Sequence, residues 1–269
     1  MFNVINKYFL IGRKFLTAFA VTFCAMSIAN AQDAKVFQAA GPNSASIQSA
    51  VDQFRTALGG ANNGNVAGPI ETGRREINWD GGGSTATAVV PTPFDVFLNN
   101  RGNRSTTPGT GFVQATAAGL ADLFVNPAYA TAFTAFSPSR LFSAIDSNIT
   151  ETSFFVPGHA DSIPATTRGF GVVFSDVDLP DGSGPSSKRG NRHASTLVEY
   201  FAVDGSPLFS SLVAASPGDG GLSFLGIVFD DARIARVRIT AGGAIPGEDD
   251  SLDVVVMDDF IYGEPKAIR

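Results

Sequence analysis

Residues 168–179 read RGFGVVFSDVDL, and within them Gly169 to Val177 form one apolar β-strand, rich in the β-branched and aromatic residues that favour sheets. Phe170, Val172 and Phe174 share a parity, and Asp176 and Asp178 continue it past the strand's end. Downstream, Ser195 to Val203 and Leu208 to Ala214 flank an Asp204-Gly205 hairpin turn. Leu222 to Phe229, Ile234 to Thr240 and Val254 to Tyr262 follow, each bounded by turn residues. Short strands at this spacing, with no helices alternating between them, predict an all-β fold. The expected architecture is an antiparallel β-sandwich, jelly-roll-like, formed as a single domain over residues 32–269.

Upstream the pattern is looser. Ile47, Val51, Phe54 and Leu58 fall at spacings of four, three and four, the stripe of one helix face. Asn43, Ser44 and Ser46 are candidate N-caps, and Gly59-Gly60 supplies the stop. One N-terminal helix is therefore expected to pack on the sandwich. Arg74 to Gly81 alternates and stops at an Asp-Gly turn, while Pro93 to Leu98, Gly111 to Ala115 and Ile149 to Val156 are further strand candidates. Gly119 to Ala135 is permissive of helix, but Pro127 interrupts it. PDGSGPSSKRGNRHA at 180–194 is a polar loop carrying Lys188, Arg189, Arg192 and His193. It reads as a mobile insertion at one end of the sandwich, or alternatively as a basic lip for an acidic sugar.

The first 31 residues have the form of an export signal. Lys7, Arg13 and Lys14 precede an apolar run from Phe15 to Met26, and Ala29-Asn30-Ala31 fits a cleavage site. Cleavage near Ala31 and a secreted location, periplasmic or extracellular, are expected. No later stretch is apolar for long enough to span a membrane as a helix. The single cysteine, Cys24, leaves with the leader, so thiol catalysis and disulfides are excluded from the mature chain. The formal charge moves from −6 to −9 as the three basic residues go. That balance argues against nucleic acid and anionic membranes as partners. The acids are mostly aspartate, a composition suited to turns and to calcium.

Catalytic motifs are missing from the sequence: there is no GxSxG, HExxH or P-loop, and His159 and His193 are the only histidines. Asp258 and Asp259 offer more. They are adjacent within an apolar strand, so strict alternation sends one of them inward. A buried carboxylate needs a cation, an arginine or several N–H donors. Two answers stay open: a pair with Arg168, Arg236 or Arg238, or a structural calcium held by Asp258 or Asp259, with Asp176 or Asp178 as a second source. Trp79 and Tyr262 are candidate sugar-stacking platforms, with Asn78 and Asp80 as hydrogen-bonding neighbours, or else core residues.

GRREINWDG at 73–81, PGTGF at 108–112, AFSPSRLFSAI at 135–145, RGFGVVFSDVDL and VVVMDDFIYGEP at 254–265 together resemble a group of secreted, uncharacterised bacterial proteins. Some such proteins carry a Pro-Glu-Pro sorting tail, which the sequence through Arg269 does not show. The C-terminal half is similar to jelly-roll carbohydrate-binding modules, and that resemblance implies a non-catalytic protein binding glycan or extracellular matrix. A polysaccharide-active enzyme with paired carboxylates and a structural envelope or matrix protein are the alternatives.

Overall fold

The computed structural model describes residues 34–159, 161–178, 196–248 and 252–268. The expected export signal at 1–31 and the expected insertion at 180–194 lie outside them. The first half runs β1 (Lys35–Gly41), α1 (Ser44–Leu58), β2 (Arg74–Ile77), β3 (Ala88–Pro91), α2 (Leu98–Arg101), β4 (Asn103–Thr106), β5 (Gly111–Ala115), α3 (Ala117–Leu123), α4 (Tyr129–Ala132) and β6 (Leu141–Ile145). The second half is all strand: β7 (Ile149–Phe155), β8 (Pro164–Thr166), β9 (Gly169–Ser175), β10 (Leu197–Phe201), β11 (Pro207–Leu212), β12 (Leu222–Val228), β13 (Arg236–Thr240), β14 (Val256–Gly263) and β15 (Lys266–Ala267).

These strands build two antiparallel sheets packed face to face. The first has the order β1-β12-β9-β14-β6-β5-β3, with β2 sharing an edge of β14. The second has the order β11-β10-β13-β7-β8-β15, with β4 beside β7. Between them lies a core of Phe112, Phe142, Phe170, Phe174 and Phe260 from the first sheet and Phe154, Val198, Tyr200, Val237 and Ile239 from the second. The protein is an all-β sandwich with a few helices.

The two sheets differ in what covers their outer faces. α1 lays Ile47, Val51, Phe54 and Leu58 on Val173, Phe224 and Ile261. α3 and α4 cover Val113, Leu141 and Val256 farther along the same face. The first sheet is thus buried on both sides, which is why β9, β12 and β14 are buried at every position and almost wholly apolar, Ser175, Ser223, Asp258 and Asp259 excepted. The second sheet leaves one face to solvent, and β7, β10 and β13 alternate accordingly.

Of the local expectations, the limits of the first helix hold and others need adjusting. α1 begins at the Asn43 cap, whose side chain accepts from the Ser46 N–H, and stops at Gly59 with φ of 124°. Pro127 separates α3 from α4, so 119–135 holds two short helices. Pro93 to Leu98 is not a strand: it makes one isolated bridge, Phe94 to Ser105, before α2 begins. Proline 93 lacks the donor a ladder needs.

Candidate functional site

Asp258 and Asp259 sit at a β-bulge. Met257 pairs with Phe174 and Phe260 pairs with Val172, so β14 spends one residue more than β9 over this interval. Met257 and Phe260 both point into the core between the sheets, while Val256 and Ile261 both face outward. The extra residue therefore corrects the expectation that the two aspartates occupy opposite faces. Both lie on the outer side, under the segment 136–140. Ser137 Oγ is 2.6 Å from Asp259 Oδ1 and 3.4 Å from Asp258 Oδ1.

Each carboxyl has partners of its own. Asp258 is fully buried and accepts the backbone N–H of Phe136 at 2.6 Å and of Ser137 at 3.2 Å. Asp259 stands 3.6 Å from the Arg55 guanidinium, which also meets Glu76 at 2.9 Å. The arginine is supplied by α1. Arg168 instead donates to the Phe229 carbonyl, and Arg236 and Arg238 face Glu151. Burial, and next the neighbouring Asp259, hold Asp258 well above the ordinary carboxylate range. Burial raises Asp259 too, with the Ser137 hydroxyl, Asp258 and Arg55 pulling it back. Two raised carboxyls side by side favour the uptake of a proton by the pair in the folded protein.

The aromatic platforms are core. Trp79 is fully buried, stacked on Phe142 at 3.7 Å between centroids and edge-on to Phe94 and Phe260. Its Nε1–H donates to the Asp258 carbonyl at 3.0 Å. Tyr262 is also fully buried, beside Phe154 and Phe170, and its hydroxyl donates to the Arg101 carbonyl at 2.9 Å. Neither ring can stack on a pyranose, because both fill space between the sheets. Asp80 is buried and accepts the N–H groups of Ser139 and Arg140, at 2.5 and 2.8 Å. Asn78 is exposed and donates to Asp80 Oδ2 at 2.7 Å. Trp79, Asn78, Asp80 and Asp258 do come together, as a brace holding 136–140 over the bulge, while Tyr262 lies apart from them at the Arg101 carbonyl.

Asp176 and Asp178 lie elsewhere, where β9 ends. There they meet Asp219, from the turn before β12, and Asp253, from the approach to β14. Asp178 Oδ1 accepts the Gly218 N–H at 2.7 Å, and the Asp178 N–H reaches Asp253 Oδ1 at 3.4 Å. Asp176 has φ of 72° and only 9% of its surface exposed, and among the described residues its Oδ1 has no hydrogen-bond partner. Burial pushes it up to about 8, with Asp178, Asp253 and Asp219 adding to the rise and the Gly220 N–H opposing it. Sequence parity found Asp176 and Asp178. Asp219 and Asp253 gave no local signal, since only the order β12-β9-β14 brings their loops together. Arg55 and Ser137 were missed for the same reason.

Among the described residues, two open grooves are larger than a third of about 380 Å³ beside Ala118 and Pro127. One of about 850 Å³ lies along α1 and β1, and includes Lys35, Phe37, Gln48 and Asp52. The other, of about 790 Å³, runs between the β10–β11 turn, the β12–β13 loop and β15. Neither contains the 258–259 pair. Comparison of the chain with protein-family models, with curated proteins and with solved structures finds no match. Among the described residues, no helix is long and apolar enough to cross a membrane.

Proposed function

We propose that this chain acts outside the cytoplasm as a non-catalytic binding sandwich that takes a glycan or another hydroxyl-rich matrix polymer. The observation that carries the reading is the groove beside β15. Val203, Ala232 and Ile268 give it an apolar floor, and Asp204, Asp231 and Lys266 ring it with both signs of charge. Carboxylates and an ammonium over apolar surface suit the hydroxyls and C–H faces of a sugar, and an open groove admits a chain. The leader-like N-terminus and the acidic balance support export and argue against nucleic acid. The hydrolase alternative draws less support, because the adjacent pair Asp258 and Asp259 is covered by the segment at 136–137 and borders neither groove.

The test is a glycan array followed by titration calorimetry on the purified protein. Binding is expected to fall at least tenfold in Asp231→Ala and in Val203→Asp, with unchanged melting. An array without binders, or binders indifferent to both substitutions, would overturn the reading. Self-association without glycan binding would select the structural matrix protein in its place.

A further inference from the structure

We infer that Asp176, Asp178, Asp219 and Asp253 form a site for one calcium ion, with Asp176 as the central ligand. This is independent of the groove reading. Three chain segments from adjacent strands supply the four carboxylates at one end of the first sheet. Backbone bonds hold those segments together: the Asp176 N–H donates to Gly221 at 2.9 Å, and the Ser216 N–H to Val177 at 2.8 Å. The second observation is Asp176 Oδ1 itself, a buried acceptor with no donor among the described residues. A carboxylate oxygen left so is costly unless a cation or donor meets it. Among the described residues, the charged groups that act on it most strongly are the acids Asp178, Asp253 and Asp219.

An all-oxygen set with flexible loops fits calcium, which takes six to eight oxygens at about 2.3–2.6 Å in adaptable geometry. Magnesium demands near-octahedral order and retains its waters. Among the described residues no three acidic or imidazole side chains already surround one point. Closure has the means: Asp219 is on an exposed turn, and Asp178 is half-buried. An ion seated on Asp176 would draw both inward and leave water in the remaining positions.

The experiment is calcium chloride titration by calorimetry, paired with thermal melts in calcium, in magnesium and in EGTA. The parent protein is expected to bind calcium and to melt several degrees higher in calcium than in EGTA, with a smaller response to magnesium. Asp176→Asn should weaken binding at least tenfold and erase the calcium shift, yet melt in EGTA no lower than the parent. Asp178→Asn, a more exposed position, should weaken binding while staying folded. Asp259→Asn should retain the full response. Identical parent melts in calcium and EGTA with no heat of binding would overturn the site. So would a full response in both Asp176→Asn and Asp178→Asn, or its loss in Asp259→Asn.

Discussion

Arg75 and Glu264 face each other as a bidentate ion pair, Nε to Oε2 at 2.6 Å and Nη2 to Oε1 at 2.7 Å, with side chains 0% and 1% exposed. The remaining bonding capacity is used as well. Arg75 Nη1 donates to the carbonyls of Gly64 and Val66, and Glu264 accepts from Asn63 Nδ2 and the Ile70 N–H. The pair thereby fastens the long connection after α1 to the end of β14. It also unites two of the sequence segments that carry the resemblance, GRREINWDG and VVVMDDFIYGEP, whose β2 and β14 residues pair from Phe260–Ile77 to Gly263–Arg74.

Removing one partner strands a buried charge, so Arg75→Met is expected to cost about 3–5 kcal/mol in urea unfolding. The double change Arg75→Met with Glu264→Met should recover part of that loss, because the unpaired carboxylate goes too. A double variant as unstable as the sum of the singles would show that the two residues act separately.

Phe54 of α1 rests on a pair of glycines. Gly171 and Gly226 stand opposite each other in β9 and β12, and a Cβ at Gly226 would come within 2.6 Å of the Phe54 ring. Phe37 and Phe224 hold that ring edge-on at 5.7 and 5.4 Å, so it has little room to move aside. Gly226→Ala should therefore cost about 1–3 kcal/mol through overpacking. Adding Phe54→Leu should restore part of it, and denaturant melts of the two variants decide the matter.

The sandwich was legible because its second half is nearly all strand and turn. Gly111 to Ala115 and Leu222 to Phe229 read as strands, and the structure has strands at Gly111–Ala115 and Leu222–Val228. The α1 stripe from Ile47 to Leu58 was equally open, since a period of 3.6 leaves a clear trace. The bulge was not. One extra residue in β14 reverses the facing of everything beyond it, and nothing in VMDDF marks where alternation breaks. Burial of Trp79 was likewise invisible, for NWD reads the same on a core strand and on an exposed rim. Arg55, charged and beside an apolar stripe, has its role set only by what lies across the sheet.

Trp79 is the only tryptophan, which makes its burial directly measurable. Its emission should be blue-shifted and shielded from iodide until the protein unfolds. Trp79→Ala should destabilise by about 3–5 kcal/mol, as expected for a large core aromatic. Trp79→Phe should cost less, but should still leave the Asp258 carbonyl without its donor. Iodide quenching in the native protein at the level of free tryptophan would contradict the packing against Phe142.

Stability in EGTA should fall as pH rises from about 4 to about 8. Asp176 is raised to about 8 from an ordinary value of 3.8, and Asp258 and Asp259 are raised as well, so between those limits the folded protein holds protons that the unfolded chain releases. The stabilisation they provide is complete below the ordinary carboxylate range and disappears as pH climbs through the folded value. Asp178, Asp219 and Asp253 face Asp176 and steepen its effect, while Arg55 beside Asp259 moderates the second contribution. Asp204, held low by Ser206, acts in the opposite sense, losing its contribution only as pH falls below the ordinary value. Thermal melts of the parent should accordingly show a Tm that declines from about pH 5 to about pH 8. Asp176→Asn should flatten part of that slope, since its amide is uncharged throughout, and leave the part due to Asp258 and Asp259. A parent Tm that climbs across this interval, or a slope untouched by Asp176→Asn, would mean that Asp176 is ionised and compensated in the folded protein.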